Sequence, residues 1–365
     1  MLPLPLSGAT ARRCHRRIRA GRRAGGAARH HRDHSGCRNH QAHHPGGGWS
    51  RQPRAVARHD GHDLPGSPLP SQPGLSALRR PAQHPLAGRL RRLYRRAGRP
   101  VTDARHHRQW ILAEVGEAGQ RRLERASVAI VGVGGLGSPV ALYLAAAGVG
   151  RLGLIDDQQV ELSNLNRQII FEECDVGRSK VDAAAGRIRL LDPALRLDEL
   201  NENVRASNVS GLLAEYDLVV DGTDAFETKF LLNDAAVLLR KPLVHAAVLQ
   251  WGGQVTTVVP GGPCLRCLFR EPPEPDAVPT CEEAGIIGAA TGVIGSVQAE
   301  EALKVLLGVG EPLSGRIFQH DGLRGETRVT TFPRDPNCPV CSPQARITDL
   351  SRYAEQVSPR GHVLV

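Results

Sequence analysis

The amino-acid sequence predicts an α/β fold: a Rossmann-like, mostly parallel sheet with added antiparallel strands and helices on both faces, preceded by a disordered N-terminal segment. Three observations carry this reading. Val128, Ile130 and Val131 form a short apolar run, as in a strand buried on both faces, and lead directly into a glycine turn and an alanine-rich helix. Leu152 to Ile155 repeat the strand pattern and deliver an acidic residue, Asp156, to the end of the sheet. Farther on, Gln250 to Val259 (QWGGQVTTVV) alternates as antiparallel strands do.

Taken in order, Arg105 to Leu112 and Gly116 to Arg125 read as two short helices leading to the strand at Ser127. Gly132, Gly134, Gly135 and Gly137 fill the turn that follows. Their missing Cβ atoms let backbone N–H groups approach a phosphate at a helix N-terminus. The helix runs from Ser138 to about Ala147, and Gly148 and Gly150 punctuate its end. Beyond Asp156 a polar stretch contains Asn164 and Arg167. Val176 to Leu191 has helical spacing and stops before Pro193. Leu197 to Val204 reads as a strand, Val209 to Leu213 as a helix, and Asp217 to Asp221 as a short buried strand. Thr223 and Asp224 follow at its C-terminal end, where ligands of open α/β sheets bind. A helix from about Glu227 to Leu239 precedes a strand at Pro242 to Ala246. Residues 271–280 (EPPEPDAVPT) form a proline-rich acidic loop. A long apolar helix from Gly292 to Leu307 and strands at 315–320 and 326–332 close the unit.

Charge is distributed unevenly. The chain of 365 residues has a formal net charge of +10, yet its first hundred residues hold 21 Arg, no Lys, 3 Asp and no Glu, or +18, so the other 265 carry −8. The body is mildly acidic, which argues against a nucleic-acid partner. No run of eighteen apolar residues exists, so neither a membrane helix nor a membrane partner is expected. The N-terminus lacks the apolar core of a secretory signal. Eight cysteines without such a signal point to a reducing, cytoplasmic setting. Residues 1–100, rich in Arg, His, Gly and Pro, are expected to be disordered or mistranslated, with the natural chain beginning near Val101.

Paired cysteine spacing carries metal chemistry. Cys264-x-x-Cys267 and Cys338-x-x-Cys341 suit a closed tetrahedral zinc site, against buried thiols or a redox pair. Cys281, in TCEEAG, and Cys174, among acidic residues, read from spacing as inert small side chains. The glycine turn by itself suggests a dinucleotide and hydride transfer, an NAD(P)-dependent oxidoreductase. A dinucleotide needs little beyond one acid on the ribose, whereas a triphosphate needs several cations and a carboxylate for Mg²⁺. Asn164, Arg167, Lys180 and Asp224 supply that larger set, and the body has only four lysines. ATP is favoured.

The body also resembles the HesA/MoeB/ThiF family of ubiquitin-activating-like adenylyltransferases over about residues 103–343. The resemblance rests on RHHRQ at 105–109, GVGGLGS at 132–138, LSNLNRQ at 162–168, VGRSK at 176–180 and DGTD at 221–224. CLRC at 264–267, TCEEAG at 280–285 and CPVC at 338–341 complete it in order. It implies ATP-dependent adenylation of the C-terminal glycine of a MoaD- or ThiS-like sulfur carrier by a homodimer, in molybdopterin- or thiamin-type sulfur transfer. A sulfurtransferase partner is a further implication. By motif, Gly132, Gly134, Gly135 and Gly137 cradle phosphates, and Asp156 holds the ribose. Ser163, Asn164, Asn166 and Ala225 line the nucleotide, and Arg167 and Lys180 neutralise its phosphates. Asp224 is the Mg²⁺-linked catalytic carboxylate, Arg108 an arginine finger into the second subunit, and Cys281 a covalent residue in part of the family.

Three positions depart from the family pattern. Gln158 replaces the second acid after the second strand, Ala225 the usual Asn after the catalytic Asp, and Lys229 a frequent Arg. Residues 344–365 form a tail, and 347–365 resemble the opening of a rhodanese domain that has been cut short. A catalytically impaired relative is therefore an alternative reading.

Overall fold

The computed structural model describes residues 105–274, 277 and 281–353, with the backbone alone for Cys281 and Glu282. The expectations for residues 1–100 and for the rhodanese-like residues after 353 lie outside the described residues. The body opens with α1 (His107–Trp110) and α2 (Gly116–Arg125), then β1 (Ser127–Val131), α3 (Gly137–Ala146) and β2 (Arg151–Ile155). Next come α4 (Lys180–Leu191), β3 (Arg196–Leu200), α5 (Val209–Ala214), β4 (Leu218–Asp221), α6 (Phe226–Leu238), β5 (Leu243–Leu249) and β6 (Gly252–Val258). Two short helices, α7 (Leu265–Leu268) and α8 (Cys281–Ala284), lead to α9 (Gly288–Leu307) and the hairpin of β7 (Arg316–Asp321) and β8 (Glu326–Thr331).

These strands form one eight-stranded sheet in the order β3-β2-β1-β4-β5-β6-β7-β8. The first five pair in parallel, and β6, β7 and β8 add antiparallel. β1 is buried at every position, and its successive residues feed opposite cores. Val128 and Ile130 join one cluster with Leu144 of α3, Ile188 of α4 and Ile294 of α9, while Ala129 and Val131 join another with Leu213 of α5 and Leu232 of α6. That two-sided burial is why the sequence shows an unbroken apolar run there rather than alternation. The chain reverses its winding between β1 and β4, so the loops after Val131 and Asp221 meet at the switch point.

Several boundaries differ from the sequence reading, and three of the shifts have a tertiary reason. The fourth helix begins at Lys180 rather than Val176, with Ser179 as its N-cap. Gly177 has φ +86°, and residues 177–178 bond to Val160 instead of opening the helix. β3 ends at Leu200 rather than Val204 because its partner β2 ends at Ile155, and the Asp156 N–H to Leu200 carbonyl bond closes the ladder. α9 starts four residues before Gly292, since Gly288 lies against the Asn166 carbonyl where no side chain fits.

Residues 344–353, set apart as a tail by sequence, pack onto the α6 side of the sheet. Ile347 and Leu350 are buried in the same cluster as Cys264 and Cys338. A fully buried ion pair anchors them. Arg266 Nε donates to Asp234 Oδ1 at 2.8 Å, Arg266 Nη2 to Tyr353 Oη at 2.9 Å, and Tyr353 Oη to Asp234 Oδ2 at 2.6 Å. Neither Arg266 nor Asp234 is accessible to solvent, so removing one partner strands a charge in the core. Asp234→Ala is expected to lower unfolding stability by about 3–5 kcal/mol, and the Asp234→Leu/Arg266→Met double variant by less. Urea denaturation of both checks this.

Candidate active site and metal centre

Backbone crowding builds the site first. Gly132 follows β1 with φ +84°, and a Cβ there would stand 2.8 Å from the Gly222 carbonyl carbon. A Cβ at Gly137 would collide with the Gly132 carbonyl oxygen. Only glycine lets the turn after β1 pass between α3 and the loop after β4. At Gly134 and Gly135 the surroundings are side chains: Gln168 Nε2 would lie 3.6 Å from a Cβ at the first, and Thr291 Cγ2 at 3.1 Å and Arg167 Cγ at 3.7 Å from one at the second.

Asp156 ties the turn to the end of β2. Its Oδ2 accepts from the Val133 N–H at 2.8 Å and its Oδ1 from the Gln158 N–H at 2.9 Å. Burial raises its pKa above the ordinary carboxylate value, against the opposing pull of Lys180 and those two N–H groups. A carboxylate offers about four acceptor positions, so capacity remains for hydroxyl groups.

Lys180 is buried at the first turn of α4, and its Nζ donates to Gln158 Oε1 at 2.6 Å. Thus the residue that replaces the family's second acid is the lysine's direct partner, and a neutral one. Arg167 is half-buried and likewise bound to neutral oxygens, Ser163 O at 3.0 Å and Asn166 Oδ1 at 3.1 Å. Asn164 is turned inward: its Oδ1 accepts from the Glu161 N–H at 3.2 Å and its Nδ2 donates to Ser163 Oγ at 3.4 Å, capping the 3-10 turn Leu162–Asn164. Ser163 and Asn166 are exposed. Asp224 is exposed three residues beyond β4 and makes no hydrogen bond or ion pair among the described residues. Ala225 is the N-cap of α6 and supplies no side-chain cap. The loops after β1, β2 and β4 therefore gather the glycine turn, Asp156 and Asp224 at one edge of the sheet.

Arg108 is exposed on α1. Cys281 opens α8; its side chain lies outside the described residues. Cys174 is exposed, with its Sγ 3.8 Å from Glu172 Oε2.

A buried cluster behind the site escaped the sequence reading. Asp221, the last residue of β4, is inaccessible to solvent. Its Oδ2 lies 2.7 Å from His245 Nδ1 and 3.3 Å from Lys229 Nζ, and its Oδ1 accepts from Thr223 Oγ1 at 2.7 Å. Burial alone would raise the Asp221 carboxyl; Lys229, His245 and Thr223 overcome it and hold the group well below the usual range. Burial pushes His245 below its ordinary value, against the pull of Asp221. A charged residue closing an apolar strand, with Lys229 and His245 in segments otherwise apolar, was the available signal.

The two C-x-x-C pairs converge although seventy residues separate them. All four thiol sulfurs lie within 4.8 Å of one another, Cys264 to Cys338 at 3.5 Å and Cys267 to Cys341 at 3.4 Å. Zinc–sulfur bonds of about 2.3 Å in a tetrahedron place sulfurs about 3.8 Å apart. The cluster fits zinc, and the sulfurs are too far apart for disulfides, which need about 2.05 Å. Four protein ligands would make such a site closed and structural. Native protein is expected to carry about one zinc per chain, and Cys338→Ser to lose most of it together with thermal stability. Metal analysis alongside a melting curve checks both.

Comparison with known proteins follows the same geometry. The model of the ThiF family matches residues 106–340. A sulfur carrier protein adenylyltransferase of Thermus thermophilus is 49% identical over 255 residues, 68% of this chain and 94% of that protein. The adenylyltransferase and sulfurtransferase MOCS3 of Aedes aegypti is 45% identical over 69% of this chain, which spans only 58% of that longer protein. A SAMP-activating enzyme E1 of Haloferax volcanii is 45% identical over 65% of this chain and 88% of its own length. Among solved structures, E. coli MccB with AMPCPP and MccA shares the fold at a TM-score of 0.59 and 24% identity, covering 66% of this chain and 75% of that one. Among the described residues, no helix is long and apolar enough to cross a membrane. By the extent of the family match, through both the nucleotide-site loops and three of the four clustered cysteines, this chain belongs to the ThiF family.

Proposed function

We propose that this protein adenylates the C-terminal glycine carboxylate of a ubiquitin-like sulfur carrier, with ATP as donor and pyrophosphate as leaving group. One observation carries the reading: two cations hydrogen-bonded only to neutral oxygens, Lys180 and Arg167, share the sheet edge of the glycine turn with the exposed carboxylate of Asp224. A hydride-transferring dinucleotide site has no use for that surplus. The names of the Thermus and Haloferax relatives support the same substrate class.

A carrier carboxylate oxygen attacks the α-phosphorus in line. The new bond is carboxylate O–Pα, the bond to the bridging oxygen of the β-phosphate breaks, and the electron pair leaves with pyrophosphate. No protein nucleophile is needed, so positioning and charge neutralisation do the work. Gly135 and Gly137 admit the phosphates close to the backbone, Lys180 and Arg167 neutralise them, and the spare acceptor positions of Asp156 hold the ribose hydroxyls. Asn164 shapes the turn that presents Ser163, Asn166 and Arg167. Asp224 would hold Mg²⁺, as an oxygen ligand suited to a hard cation, and the ion would supply charge neutralisation to the phosphates. Arg108 acts in the site of a second copy, which makes the active form a homodimer. Cys264, Cys267, Cys338 and Cys341 would hold zinc as a staple between two segments, with no ligand position left open for the transfer. Cys281 takes the carrier after adenylation: its thiolate attacks the acyl-adenylate carbonyl, the thioester C–S bond forms, the acyl C–O bond breaks and AMP leaves with the electron pair. The carrier serves molybdopterin- or thiamin-type sulfur transfer in the cytoplasm.

Asp224→Ala is expected to abolish carrier-dependent ATP–pyrophosphate exchange, measured with candidate carriers of both pathways; an unaffected rate refutes the assignment. In a thermal-shift assay Mg-ATP at about 100 times its Kd should stabilise the protein by about 2.7 kcal/mol, while NAD leaves the melting temperature unchanged. The opposite result restores the oxidoreductase reading.

A further inference from the structure

The exposed carboxylate of Asp224 sits on a loop that a buried polar cluster holds at its root. Asp221 Oδ1 accepts twice from Thr223, from its N–H at 3.1 Å and its hydroxyl at 2.7 Å. The other oxygen, Oδ2, faces His245 Nδ1 at 2.7 Å and Lys229 Nζ at 3.3 Å. Lys229 also donates to the Ala246 carbonyl at 2.7 Å, which ties α6 to β5. From the opposite side, Gln298 of α9 donates to the Asp221 carbonyl at 2.8 Å and the Val244 carbonyl at 3.2 Å. The chain then passes Gly222, where a Cβ would stand 2.5 Å from the Gly132 carbonyl oxygen, so the loop and the glycine turn cannot move independently.

This network exceeds what sheet closure needs. Burying an aspartate with a lysine and a histidine is costly unless each polar atom is engaged. Here the one group the cluster immobilises toward solvent is Thr223, the residue before Asp224. We propose that Asp221 and Thr223, backed by Lys229 and His245, are positioning residues that set the orientation of Asp224 and couple it to the glycine turn. The inference rests on the adenylation reading above. The Thr223 hydroxyl is its most separable part, because a valine keeps the β-branched shape and the backbone N–H bond while losing only the Oγ1 contact. A positioning role predicts loss of turnover without loss of nucleotide affinity, since the cluster reaches no ligand itself.

The test uses the full-length protein in carrier-dependent pyrophosphate exchange, with Thr223→Val, Thr223→Ser and, as reference, Asp224→Ala. Thr223→Val should lower kcat about tenfold with KM for ATP within about twofold of the original, and Thr223→Ser should recover most of the loss. The urea midpoint of each variant is read in parallel, which separates misplacement from unfolding. A Thr223→Val enzyme with full kcat, a loss confined to KM, a loss that serine fails to recover, or a loss matched by a fall in urea midpoint overturns the positioning role. If Asp224→Ala itself stays active, the adenylation reading has failed, and this is distinct from a failure at Thr223.

Discussion

The backbone of Gly132 is the constraint on which the site depends. It leaves β1 with a left-handed φ and lies between two other backbones, those of Gly137 and Gly222. Three consequences follow from that single close approach. The N-terminus of α3 opens directly over the end of β1, the loop after β4 is pressed against the same point, and Asp156 reaches across to accept the Val133 N–H. No side-chain interaction could replace this packing, because the space left is smaller than a methyl group.

Around that point the charged residues divide into two kinds. Arg266 with Asp234, and Lys229 with Asp221, are saturated by opposite charges in solvent-excluded places and hold elements together. Lys180 and Arg167 meet only neutral oxygens, and Asp224 meets no protein partner among the described residues. Charge without an opposite-charge hydrogen-bond partner, gathered at a sheet edge, is what a polyanionic ligand with a cation would complete. The saturated kind secures the scaffold, so that the other kind can stay in place without ligand.

The second core, on the α6 face, includes a cysteine cluster and is closed at its rim by a polar network. Cys264 and Cys338 pack there with Ile347 and Leu350, and the Arg266–Asp234–Tyr353 network closes its rim. Four thiols brought together from two distant segments staple the segment after β6 to the stretch after β8. Both devices sit on the opposite face from α9, which suits a stabilising role away from the nucleotide loops.

The sequence by itself determined the order of most strands and helices, the glycine turn and the pairing of the two C-x-x-C spacings in one cysteine cluster. These are local: apolar period, missing Cβ atoms and C-x-x-C spacing each act within a few residues. Only the tertiary structure decided which charges are spent. Gln158 reads as a lost acid in the sequence and is Lys180's partner in the fold. Asp221 reads as the end of a strand and proves to hold Lys229, His245 and Thr223 at once. The helix expected from Val176 gave way to pairing with Val160, and the apparent tail at 344–353 became core. Such outcomes depend on contacts between segments far apart in the chain, where burial sets the cost of a charge and the neighbour supplied by another element decides whether it is met.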